Sequence, residues 1–137
     1  MIMKKVSTTL VMLLVLINGT ALSANVELKV DMYKLYNHLI QMEDAFMTGN
    51  KEKAMDAVEA LEKESKNLFG DEEKIKQMLP EKQRFKSRIA VTTAVMIQKN
   101  IDAIKEGMQT DRRDAAQSAY LDIQRACMRC HNLVRDW

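Results

Sequence analysis

Apolar residues recur along the chain at alternating spacings of three and four, which is the pattern of helices packed lengthwise against neighbours. In the first such stretch they are Leu28, Met32, Leu35, Leu39, Met42 and Phe46. The same period returns in later stretches. It predicts helices over roughly 26–47, 51–69, 81–106 and 111–135.

Residues that break helices fall between these periodic stretches. They are Gly49, Gly70, Gly107 and the single proline, Pro80. We expect Asn50 and Thr110 to cap the second and fourth helices, and Pro80 to lie in the first turn of the third. Short links at Gly49 and Gly107 require antiparallel neighbours. The sequence therefore predicts an all-α fold, an antiparallel up-down-up-down four-helix bundle.

The first 24 residues have the order of a secretory signal peptide. Lys4 and Lys5 precede a short apolar stretch, 10–17, and small residues follow through Ser23 and Ala24. The apolar stretch is shorter than the ~20 residues of a membrane-spanning helix. We expect residues 1–24 to be cleaved, residues 25–137 to form one domain in the periplasm, and no stable membrane insertion after cleavage.

Length, composition and charge disfavour several classes of function. The 137 residues suffice for one modest domain, and the formal net charge of +2 falls to zero once Lys4 and Lys5 leave with the signal peptide. No basic run with interleaved aromatic residues suggests nucleic-acid binding. We also find no glycine-rich phosphate loop and no histidine with a plausible nucleophile spacing, so the sequence does not predict an enzyme.

The most specific chemical signal is a C-x-x-C-H motif formed by Cys127, Cys130 and His131, which contains the only two cysteines of the chain. On a helix, this spacing suits thioether bonds from both sulfurs to the vinyl groups of a haem and an axial bond from the imidazole to the iron. The motif follows a predicted export signal. We therefore expect one covalently attached haem c.

Three other interpretations of the motif are weaker. A dithiol redox centre expects its cysteines at a helix N-terminus in an α/β pattern. A structural zinc site needs four ligands, and His38 is the one further histidine. A disulfide between cysteines three residues apart on a continuous helix would require backbone distortion.

The segment 126–135, Ala-Cys-Met-Arg-Cys-His-Asn-Leu-Val-Arg, resembles the C-terminal haem motif of class II c-type cytochromes, the cytochrome c′ group and its low-spin relatives. Members are exported four-helix bundles with haem covalently bound at one end, and the resemblance covers the chain after the signal peptide. Val134 stands where many members have an aromatic residue. The first helix is also similar to that of the soluble periplasmic b-type cytochrome bundle, which implies Met32 as an iron ligand.

Helix geometry independently pairs Met32 with His131, since both lie roughly 9–11 Å from the same end of the bundle. With both side chains on the iron, the protein would carry single electrons between redox partner proteins of the periplasm. If Leu35 faces the iron instead, a five-coordinate haem would bind nitric oxide or carbon monoxide. His38 is the alternative iron ligand, because imidazole binds iron strongly. It lies roughly 9 Å deeper in the bundle than Met32 and on another side of the helix. The oligomeric state stays open, with a homodimer as one alternative.

A basic segment at the start of the third predicted helix surrounds Phe85. It contains Lys82, Arg84, Lys86 and Arg88 and should lie at the same end of the bundle as Met32 and His131. Arg84 or Arg88 could pair with a haem propionate, with Phe85 against the porphyrin. A solvated basic turn is the equal alternative, because exposed ion pairs contribute only ~0–1 kcal/mol.

Overall fold

The computed structural model describes residues 27–134, and every regular element in that range is helical. The helices are α1 (27–48), α2 (Lys51–Phe69), α3 (Glu72–Met78), α4 (Ser87–Gln109) and α5 (Arg113–Val134), with a 3-10 helix, Glu81–Lys86, before α4. The all-α prediction is confirmed. The predicted signal peptide, residues 1–24, lies outside the described residues.

The link between α1 and α2 is short because two residues perform the turn. Gly49 adopts a φ of +69°, a left-handed conformation that glycine tolerates without strain. Asn50 then caps α2, as predicted, since its side-chain oxygen accepts a hydrogen bond of 2.9 Å from the backbone N–H of Lys53. Only two residues therefore separate the end of α1 from the start of α2.

The structure differs from the predicted helices in three details. The connection 70–80 contains α3, which Asp71 caps by accepting from the backbone N–H groups of Glu73 and Lys74. The third long helix begins at Ser87 rather than at residue 81, because the preceding 3-10 helix buries no residue that would hold an α-helical register. Thr110 ends α4 instead of capping α5, and its hydroxyl donates to the Glu106 carbonyl at 2.8 Å.

One hydrophobic cluster draws on all four long helices. Its fully buried members include Met42 of α1, Leu61 of α2, Ile101 and Ile104 of α4 and Ile123 of α5. A second, smaller cluster joins Ile75, Leu79, Ala90 and Cys130, so that α3 and the start of α4 pack around the end of α5. This second cluster fixes the surroundings of the cysteine motif.

Polar contacts also connect the helices. The Glu62 carboxylate of α2 accepts from Gln98 at 3.0 Å and from Lys105, both on α4, and from Lys66 on its own helix at 2.6 Å. Within residues 27–134, no helix is long and apolar enough to cross a membrane.

Candidate functional site

The C-x-x-C-H motif occupies the final two turns of α5. Cys127 is half-buried and Cys130 is buried, and neither thiol forms a disulfide. Helical spacing places the two sulfurs about one turn apart on the same side of α5. His131 follows directly and is half-buried.

The surroundings of both thiols disfavour ionisation. Burial, and to a smaller extent the neighbouring Cys130, raises the pKa of Cys127 to about 11. Burial also raises the pKa of Cys130, although a hydrogen bond with the Thr93 side chain opposes this effect. A dithiol redox centre requires a thiolate at neutral pH, and these two groups remain thiols. The environment therefore does not favour the dithiol interpretation.

A large cavity opens between α1 and α5 beside the motif. Its volume is about 960 Å³, at the upper end of the roughly 300–1,000 Å³ range of ligand pockets. Cys127, Cys130 and His131 line it from α5, and Met32 and Leu35 line it from α1. The structure thus brings together five residues that the sequence analysis singled out.

The other walls of the cavity are mostly apolar. Phe69 contributes from α2, and Thr93 and Ile97 contribute from α4. Exposed apolar side chains of α1 and α5 line the opening of the cavity. They are Tyr36 and Ile40 on α1, and Leu121, Met128 and Leu133 on α5. The apolar lining of this cavity suits a large, flat, apolar ligand.

The remaining predicted site residues lie elsewhere. His38 does not line the cavity, and its Nδ1 lies 3.4 Å from Oε1 of Gln41. Arg84, Phe85 and Arg88 do not line the cavity either, and Phe85 is 78% exposed. The segment does pack against α5, so it shares the expected end of the fold but occupies another side.

The sequence pattern did not predict that Tyr120 contributes a polar group to the cavity. The buried Tyr120 donates its hydroxyl hydrogen to Glu43 Oε2 at 3.2 Å and accepts from Gln124 Nε2 at 2.6 Å. Burial and the Glu43 carboxylate both raise the pKa of Tyr120, so it stays a phenol. Tyr120 also packs edge-on against Phe46, with ring centroids 5.7 Å apart. Its position two helical turns before Cys127 was the available signal.

The donors around the cavity fit a c-type haem better than a bare metal ion. Among residues 27–134, no three His, Cys, Asp or Glu side chains cluster closely enough to hold a metal ion. A haem needs fewer protein ligands, because the porphyrin supplies four nitrogens to the iron. It requires two thiols one turn apart, an adjacent imidazole and apolar walls, and all of these line this cavity.

Comparisons of the chain with protein-family models, with curated proteins and with solved structures found no match. The assignment of function therefore depends on the residues and the geometry of the cavity.

Proposed function

We propose that this chain is a periplasmic mono-haem c-type cytochrome that carries single electrons between redox partner proteins. Its helices form an antiparallel up-down-up-down bundle, with haem c bound at the end that contains the cysteine motif. One observation carries the proposal: Cys127, Cys130 and His131 line an apolar cavity of about 960 Å³ whose opposite wall contains Met32.

Each residue has a distinct task in this proposal. Cys127 and Cys130 would hold the porphyrin through their sulfurs, and the His131 imidazole would bind the iron. Met32 would offer a thioether sulfur from α1. Bound haem would supply one-electron chemistry at its iron. The apolar walls, together with a sulfur ligand, would favour the ferrous state and raise the reduction potential.

Haem attachment is tested by staining for haem after denaturing electrophoresis. The wild-type protein should keep its haem, and the variant carrying Cys127→Ser and Cys130→Ser should lose it. Ser118→Ala is the matched control, because Ser118 is exposed on the same helix and does not line the cavity. Wild-type protein that fails to stain would refute the proposal.

The electron-carrier role is tested at Met32. The ferric protein should be low-spin with the weak far-red band of a methionine–iron bond, and the ferrous protein should not bind carbon monoxide. Met32→Ala should abolish the band, admit carbon monoxide and lower the potential. Met55→Ala is the control, since Met55 packs against the same core without lining the cavity. Loss of the low-spin spectrum in His38→Ala alone would assign the ligand to His38.

Gas binding is the second candidate function, and the position of Leu35 favours it. Leu35 is the best-buried α1 residue of the cavity wall, with 9% of its surface exposed. If Leu35 rather than Met32 covers the iron, the wild-type protein should be high-spin and should bind carbon monoxide readily. That spectrum would replace the carrier assignment with the gas-binding one.

A further inference from the structure

The 3-10 helix Glu81–Lys86 and the first turn of α4 present a basic and aromatic surface that the cavity does not use. In a 3-10 helix, residues three apart lie above one another. Lys82 and Phe85 therefore share one face, and Arg88, three residues further, extends it into α4. All three residues are exposed, whereas the adjacent Ser87 is buried. We call this line of Lys82, Phe85 and Arg88 the basic–aromatic row.

Charges on the row are not neutralised by the fold. Neither Lys82 nor Arg88 forms an ion pair with any side chain of residues 27–134, and the same holds for the neighbouring Arg84. Glu81 is the single acidic residue between 81 and 91.

Elements packed against the row carry charges of both signs. On α3, Glu72 keeps its negative charge while accepting a hydrogen bond from Ser87, whereas Glu73 pairs with Lys76. On α5, the exposed Arg129 adds another positive charge. The opposite end of the molecule differs, because Arg112 there pairs with Glu106 and Arg113 pairs with Asp111.

Packing within residues 27–134 leaves Phe85 78% exposed, and the 3-10 helix that carries it has no buried residue. The Lys86 ammonium lies 5.8 Å from the centroid of the Phe85 ring. An aromatic ring between basic side chains suits the boundary of a phospholipid bilayer. There the ring enters the headgroup region while the cations pair with lipid phosphates.

We propose that the basic–aromatic row is a peripheral docking site for an anionic phospholipid surface. Lys82 and Arg88 would bind the headgroup phosphates, Arg84 would assist them, and Phe85 would insert between the headgroups. Docking of this kind is reversible, because a few basic residues and one ring give modest affinity. The proposal does not require haem, so its outcome is independent of the proposed electron-carrier function.

The test is co-sedimentation with vesicles of the protein purified in its exported form, without residues 1–24. We expect binding to vesicles of phosphatidylcholine and phosphatidylglycerol in equal amounts at low ionic strength, and release at high salt. Vesicles of phosphatidylcholine alone should bind little protein. Absence of binding to the anionic vesicles, or equal binding to both kinds, would overturn the proposal.

Variants then assign the binding to the row. Lys82→Gln with Arg88→Gln should weaken vesicle binding about twenty-five-fold, since each basic residue near an anionic surface contributes about fivefold. Phe85→Ala should weaken it about tenfold, and Phe85→Trp should preserve it because tryptophan favours the membrane interface. None of these side chains is buried, so helix content by circular dichroism should not change.

Arg112→Gln with Arg113→Gln is the matched control, because it removes the same charge from the opposite end. If both double variants weakened vesicle binding equally, the binding would depend only on the net charge of the protein, and the proposal would be overturned. A polyglutamate column distinguishes an acidic protein partner from a lipid surface. If Phe85→Ala leaves vesicle binding unchanged while the column retains the wild type and releases the Lys82 and Arg88 variant, the row binds acidic proteins instead.

Discussion

Replacing Glu62 with glutamine removes a carboxylate that connects two helices of the core. Lys66 and Gln98 donate to this carboxylate at 2.6 Å and 3.0 Å, and Lys105 donates to its other oxygen. The Glu62 side chain is only 18% exposed. Hydrogen bonds from Lys105 and then Lys66 are the main causes that lower its pKa from 4.5 to about 2.

The expected loss of stability in Glu62→Gln follows from the lowered pKa of Glu62. A carboxyl group whose pKa falls from 4.5 to about 2 on folding adds at most about 3 kcal/mol to the free energy of unfolding at neutral pH. Lys66 is 63% exposed, so water screens its share of the interaction. We therefore expect Glu62→Gln to destabilise the protein by roughly 1–2 kcal/mol at neutral pH.

The direction of the pKa shift of Glu62 determines how its contribution to stability changes with pH. The folded state binds protons less readily at Glu62 than the unfolded state does, so the stabilisation is complete above pH 4.5 and disappears as the pH falls to about 2. Urea unfolding of wild type and variant should show a difference that shrinks towards zero over this range. Glu59→Gln is the control, because Glu59 is exposed on the same helix.

Two outcomes would refute this reasoning about Glu62. A difference between wild type and Glu62→Gln that is the same at neutral pH and near pH 2 would show that packing, not charge, causes the loss. An equal loss in Glu59→Gln would show that the contacts to α4 contribute nothing specific.

Three further substitutions test the packing of the helices by chemical denaturation. Gly107→Ala should cost roughly 1–3 kcal/mol, because its added Cβ would lie 3.1 Å from the Cβ of Ala116 and closer still to backbone atoms; an unchanged midpoint would contradict that close approach. Ile104→Ala should cost about 2–5 kcal/mol, since Ile104 is fully buried, and a smaller loss would place it outside the core. Tyr120→Phe should cost only about 0.5–1.5 kcal/mol, because the exposed Glu43 regains water as its partner; a loss above 3 kcal/mol would disagree.

The helical pattern was predictable wherever an apolar face is long. The spacing of Leu35, Met42 and the later apolar residues defines whole turns of buried surface, and the long helices lie close to their predicted positions. The seven residues of α3 escaped because two buried side chains, Ile75 and Met78, are too few to define a period. Pro80 indicated a helix start, but burial begins only at Ser87.

The residues of the candidate site were predictable to different degrees for a physical reason. The C-x-x-C-H motif identifies Cys127, Cys130 and His131 directly from the sequence. Position along a helix indicates the end of the fold at which a residue lies, and this was sufficient to pair Met32 with the motif. It does not specify the side of the bundle, so the sequence left Arg84 open as either a haem-propionate partner or part of a solvated turn, and Arg84 does not line the cavity. The contact between Tyr120 and Glu43 depends on the register of helices 77 residues apart.

If the chain binds haem as proposed, the uneven burial of α1 would couple haem attachment to the folding of this helix. Between residues 27 and 41 the helix buries only Leu35, while Met32 and Leu39 turn their apolar surface to the cavity. An apoprotein would therefore hold this half of α1 weakly, whereas α5 keeps its buried face against α4. Attachment of the ligand to α5 would complete the missing core, so that maturation and the final ordering of α1 become one coupled transition.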